Sequence, residues 1–490
     1  MDHQIDVLKI LAYPISPVPL ALCHLDGGFC KTDKSVLAKC LEPNIDQEPP
    51  PNTDVFLIDG FFILHSMKEV PKTFGSISKK FLQMVSKYST RRIDVIFDQY
   101  LFPSIKDSER CLRHEASLNG YTISGPEQVR PSDFAKELKN TKFKEALVDF
   151  FTNHWCTEEM KSFLGNRQIF LNFRNCQSYK VVDDKIQSSV VENLCCPLHE
   201  EADTKIIYHA CNITDQSNIV IRASDTDILI IMIGNMKQLQ NSNSNIWMLN
   251  GTGNNERYID VTKIYNELGE LLAKSLIGFH AFTGCDFNPA FFNKGKKRPF
   301  TLLKKNVEFQ QAFATLGEEN LTEDQLNEVF NSIQKFTCQL YNAKKSVDVD
   351  DGRYQLFISN YKASDVNENF SKKIQNFDAS SIPPCKSELY QQFLRANYIS
   401  SVWKNAYKKQ PTTLDPLEYG WMEQDDKFVF KWFEGDQLPT SVSDLITKIP
   451  GKFILINSLP NILNQGTHYF YSIIYVLFFQ NPIQRMMKTS

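Results

Sequence analysis

Residues 54–98 read DVFLIDGFFILHSMKEVPKTFGSISKKFLQMVSKYSTRRIDVIFD. The apolar run Val55–Asp59 predicts a strand, Phe62–Tyr88 a helix-like stretch, and Ile93–Asp98 a second strand. A strand–helix–strand unit implies a right-handed crossover and a parallel pair. Both strands end on a carboxylate, Asp59 and Asp98. In an open parallel sheet, side chains at the carboxyl ends of the strands converge on one crevice.

Further along the chain, five more carboxylates fall in comparable places. Asp225 and Asp227 follow the apolar run NIVIRAS in SDTDILII, Glu201 and Asp203 open the helix-like HEEADTKIIYHA, and Asp286 stands in FTGCD. Each Asp alone reads as a turn former or helix cap. Gathered in one crevice they would repel, and divalent cations are the usual reason for such a gathering. Mg²⁺ and Mn²⁺ prefer oxygen ligands.

The remaining sequence sets expectations for organisation. Residues 1–50 read as a Pro-punctuated appendage, closed by the linker EPPPNTD. Residues 51–315 read as an α/β core, with a polar, mostly helical insertion at about 102–197. Within that insertion Phe150, Phe151 and Trp155 are expected to be core rather than a base-stacking surface. Strands are predicted at Asn218–Ser224, Ile228–Ile233 and Asn245–Leu249, then helices at Val261–Leu272 and Ala273–Phe282. Residues 316–450 read as a separate helical region and 451–490 as an apolar tail. The tail's run YFYSIIYVLFF is shorter than the roughly 18–20 residues that span a bilayer, so a membrane anchor is not favoured.

Bulk properties exclude several classes. A net charge of -3 offers nucleic acid no global attraction, so affinity must come from local patches such as NKGKKRP. Twelve Cys without a CxxC pair argue against a zinc finger or disulfide scaffold and suit an intracellular, reducing setting. The Asp- and Pro-bearing N-terminus does not read as a signal peptide. Gly251-Thr252-Gly253 lacks the third glycine of a dinucleotide loop, and HEEAD carries Asp203 where the zinc-protease motif needs its second His. No small-molecule cofactor is expected.

The order LID59, IFD98, E201-A-D203, SD225-T-D227 and GCD286 resembles the flap endonuclease-like (XPG/asteroid-type) 5′ nucleases of the PIN-like group. The resemblance extends through RYIDVTKIYNELGELLAKSLIGFHAFTGCDF and covers roughly 54–305. It implies an α/β PIN-like fold: a mostly parallel central sheet flanked by helices, with an arch-like helical insertion and a mainly helical C-terminal region. It also implies a metal-dependent, structure-selective nuclease acting on branched or 5′-ended nucleic acid, DNA in preference to RNA, in the nucleus. By the same resemblance Asp59, Asp98, Glu201 and Asp203 would hold one Mg²⁺ or Mn²⁺, and Asp225, Asp227 and Asp286 a second. Lys106 and Arg113 would steady the scissile phosphate, while Lys294, Lys296, Lys297 and Arg298 would grip the duplex backbone.

Departures from the family pattern are Gln99 after the second Asp where Gly is common, and Asp203 where Glu is usual. A single Gly295 stands in the hairpin turn, and about 50 residues precede the first motif. The competing reading is a catalytically inactive nucleic-acid-binding or scaffold protein of the same fold, against which the intact set of carboxylates speaks.

Overall fold

The computed structural model describes residues 6–24, 27–42, 48–106, 120–361 and 378–440. Arg113 and the tail 451–490 lie outside these residues. Eight strands form one sheet: β1 Val55–Asp59, β2 Arg92–Ile96, β3 Gln168–Asn172, β4 Cys176–Val182, β5 Lys185–Val190, β6 Asn218–Arg222, β7 Asn245–Asn250 and β8 Arg257–Asp260. Their order is β5-β4-β3-β2-β1-β6-β7-β8. The five central strands, β3 to β7 in that order, pair in parallel, and antiparallel pairs finish both edges. The protein is therefore mixed α/β, with a mostly parallel sheet covered by helices.

Period-two alternation divides the core. Val55 and Leu57 of β1, with Ile219 and Ile221 of β6, enter one apolar layer. Phe56 and Ile58, with Val220, enter the other. The first layer is covered by helices Ala202–Cys211, Thr226–Asn235, Glu270–Phe282 and Lys386–Lys404, and the second by Gly60–Ser66, Phe74–Ser86 and Thr141–His154. Phe151 and Trp155 are wholly buried in the second layer, as expected, and Phe150 is partly buried against it.

Four expectations are corrected. The apolar run Ile228–Ile233 is helical, within Thr226–Asn235, rather than a strand. Asp225 caps that helix by accepting from the Asp227 amide at 2.9 Å, and every residue of the run is buried. An element covered on all sides carries no polar face, so its period is invisible in the sequence.

Among its described residues, the segment 102–197 carries strands as well as the expected helices: β3 joins β2 in parallel, and β4 and β5 extend the sheet as a meander. Residues 1–50 are not an appendage, because Leu22, Leu37, Ala38 and Leu41 sit in the first apolar layer. The Ala290 amide also donates to the Cys30 carbonyl, and that of Phe292 to Ala21. Nor are residues 316–440 separate. Phe393, Ile399 and Trp403 share the same layer, and Asn235 Nδ2 donates to the Trp403 carbonyl at 2.9 Å. Among the described residues, no helix is long and apolar enough to cross a membrane.

Candidate metal centre

The chain runs outward from β1 to β2 and β3, then returns to place β6 on the other side of β1. This reversal opens a crevice at the carboxyl ends of β1 and β6, where open α/β sheets bind ligands. Asp59 is the last residue of β1 and caps helix Gly60–Ser66, accepting from the Phe62 amide at 3.0 Å. Asp98 lies just beyond β2, and its Oδ1 accepts from the Ala202 amide at 2.6 Å. That bond ties it to the first turn of helix Ala202–Cys211, which carries Asp203. Buried Lys205 on the same helix donates to the carbonyls of Phe97 (3.0 Å) and Phe173 (2.6 Å), pinning the chain beside Asp98.

Asp203, Asp225 and Asp227 converge, with one ligand oxygen from each lying within 4.8 Å of the others. Three further acids are coupled to them by charge. The charge of Asp98 acts on both Asp59 and Asp203, and Asp286 acts on Asp225 and Asp227. Asp286 is delivered by a tight turn after helix Glu270–Phe282. Gly284 there has φ +114°, and a Cβ on it would fall 2.7 Å from that of Ala290, so only glycine fits. Glu201 is paired with Lys106, and neighbouring Glu200 accepts from Ser104 at 2.7–2.8 Å.

Crowding shows in the proton affinities. Burial, then the Asp98 charge, pushes Asp59 up to about 7. Burial and Asp227 push Asp225 up to about 6, and burial with Asp225 and Asp227 holds Asp203 well above the usual carboxylate range. Asp227 is raised by burial even with a lysine against it. Buried carboxylates that repel one another and offer only hard oxygen donors fit a small divalent cation such as Mg²⁺ or Mn²⁺.

Two site residues are not singled out by the sequence. Lys34, at the start of helix Ser35–Leu41, sets its ammonium 2.8 Å from Asp227 and 2.5 Å from Asp286. Burial opposes its charge, but Asp227, Asp225 and Asp286 outweigh burial and raise its pKa. It lies in a segment that reads as an appendage. His280, on the helix preceding Asp286, reaches Asp227 Oδ1 with Nε2 at 2.8 Å. A histidine within an apolar helical run reads as core, although its position before GCD286 is a faint signal.

The basic turn is only partly available for binding. Lys296 is 1% exposed and donates to the His280 carbonyl (3.1 Å) and Thr283 Oγ1 (2.9 Å). Its expected phosphate contact is therefore corrected: it braces the helix end beside the carboxylates, and burial lowers its pKa to about 7. Lys297 and Arg298 are exposed, and Arg298 reaches the Gln339 carbonyl and Asn342. Lys294 lies over the Tyr341 ring at 4.1 Å, half-buried.

No family model matches the chain, and no curated protein matches it. Among solved structures it is similar to flap endonuclease-1 from Methanococcus jannaschii. The two are 16% identical, the match covers 65% of this chain and 98% of that one, and the TM-score is 0.28.

Proposed function

We propose that this chain is a divalent-metal-dependent nuclease that hydrolyses phosphodiester bonds in branched or 5′-ended nucleic acid. The observation carrying this reading is the convergence of Asp203, Asp225 and Asp227 within 4.8 Å at the β1/β6 crevice. A Mg²⁺ or Mn²⁺ held there would lower the pKa of a bound water and offset charge on the phosphate. Asp203 and Asp225 would be its direct ligands, and Asp59, Asp98, Asp227 and Asp286 would hold it directly or through water. Asp286 and Lys34 each keep about a fifth of their side chains exposed, which leaves an approach for a phosphate from solvent. Lys106, paired with Glu201, would orient the scissile phosphate with its ammonium. Lys297 and Arg298 would hold the duplex backbone without reading sequence. DNA as the preferred substrate and a nuclear setting belong to the same reading.

Incubation of the purified chain with labelled flap, hairpin and single-stranded substrates, with Mg²⁺, Mn²⁺ or EDTA, tests it. Metal-dependent cutting that Asp225→Asn removes is expected. Intact substrates at micromolar enzyme with either metal would overturn it.

A further inference from the structure

The resemblance calls for two cations, the second on Asp225, Asp227 and Asp286. Two of those three carboxylates already share a cation of the chain's own: Lys34 Nζ lies 2.8 Å from Asp227 Oδ2 and 2.5 Å from Asp286 Oδ1. The other oxygen of Asp227 faces His280 Nε2 at 2.8 Å. His280 Nδ1 is buried without a hydrogen-bond partner among the described residues, so the ring proton belongs on Nε2, which donates to Asp227. Both oxygens of Asp227 thus accept from protein donors. Asp227 is almost wholly buried, at 3% side-chain exposure, so little solvent is present to replace either donor.

Lys34 is not a loose surface lysine brought in by chance. It stands at the start of helix Ser35–Leu41, whose Leu37, Ala38 and Leu41 are buried in the main apolar layer. The preceding segment is held as well, with the Cys30 carbonyl accepting from the Ala290 amide at 2.8 Å, four residues beyond Asp286. The backbone that carries Lys34 is therefore fixed against the loop that carries Asp286.

We infer that Lys34 takes the place of the second cation, so that the chain binds a single divalent ion, at Asp203 and Asp225, with a fixed ammonium between Asp227 and Asp286. This rests on the nuclease reading and refines it. A compact ammonium supplies positive charge beside a phosphate but cannot ionise a water as a divalent ion does. The nucleophile would then be generated on the Asp203 side and the fixed charge would lie on the Asp286 side.

Titration of the full-length chain with Mn²⁺ alone, followed by calorimetry and electron paramagnetic resonance, tests the inference without reference to turnover. The wild type is expected to bind one Mn²⁺ per chain with the spectrum of an isolated ion. Lys34→Met, which keeps the aliphatic stem, should gain a second Mn²⁺ and the spin coupling of a close pair, and Lys34→Arg should stay at one. A coupled pair in the wild type would overturn the inference and leave the nuclease reading standing. A single ion in Lys34→Met would also overturn it, since the lysine would then not be what excludes the second. Absence of Mn²⁺ binding in the wild type would overturn both.

Discussion

His280 Nε2 lies 2.8 Å from Asp227 Oδ1, and both side chains are almost wholly buried. Burial, then the charges of Lys296 and Lys34, hold the His280 pKa well below 6.5, so the ring is neutral and acts as a plain hydrogen-bond donor. Removing it with His280→Phe should cost about 1–3 kcal/mol, the scale for a buried acceptor that loses its partner. The unfolded chain protonates this histidine below about pH 6.5 while the folded chain does not, so acid lowers wild-type stability through it. Urea unfolding from pH 8 to 5 should therefore show a shallower acid loss in the variant. An unchanged midpoint at pH 8 would disprove the donor role.

Asp59 behaves in the opposite sense. Its folded pKa is raised to about 7, so ionising it in the metal-free protein costs stability above that pH. Asp59→Asn keeps the helix cap, since Asn caps as well as Asp. It should stabilise the metal-free chain by on the order of 1–3 kcal/mol above pH 7. The gain should fade as pH drops from about 7 towards the ordinary Asp pKa of about 3.9, below which both states are protonated. With saturating Mn²⁺ the sign should reverse, because a carboxylate near the ion has been removed. Thermal melts in EDTA and in Mn²⁺ read both effects, and a variant less stable in EDTA at pH 8 would count against the assignment.

Asp227→Asn should reduce cleavage by about 100-fold or more while leaving substrate binding equal or tighter, since one charge repelling phosphate is gone. Single-turnover rates and a filter-binding isotherm separate the two. Wild-type turnover in this variant would place the chemistry elsewhere.

The basic turn divides by burial. Replacing Lys297 and Arg298 with Ala should weaken binding of every duplex similarly and reduce the salt slope by about 0.9 for each phosphate that is no longer neutralised. Lys296→Gln should leave that slope unchanged and instead lower the melting temperature, because Lys296 is spent on His280 and Thr283. A salt slope altered by Lys296→Gln would show that the side chain reaches the nucleic acid after all.

Truncation after residue 315 should yield insoluble protein rather than an active core. Arg395 is wholly buried and donates to Asn288 Oδ1 (3.0 Å) and to the carbonyls of Gly420 (3.0 Å) and Lys431 (2.8 Å). Arg395→Met removes the donor from Asn288 Oδ1 and the Lys431 carbonyl, while Gly420 still accepts from the Lys431 amide, and should cost about 3 kcal/mol or more by urea unfolding. A soluble, metal-dependent 1–315 fragment would restore the division at 316.

What the sequence determined by itself was whatever is local in period or position. Apolar runs that end in Asp59 and Asp98 located β1 and β2, and the positions of Asp203, Asp225 and Asp227 after apolar runs or at a helix start marked three acids whose oxygens the fold brings within 4.8 Å of one another. What only the tertiary structure decided depended on burial from every side or on packing between distant segments. The helix at Ile228–Ile233 could not be read from the sequence because neighbours cover all its faces, which erases the pattern that distinguishes helix from strand. Lys34 joins the site because the packing of Leu37 and Leu41 carries a Pro-rich segment back across the sheet end, and nothing around KTDKSV foretells that return. Lys296 leaves the binding surface for the same reason. Its charge is written in the sequence, but the direction of its side chain is set by the helix end it braces.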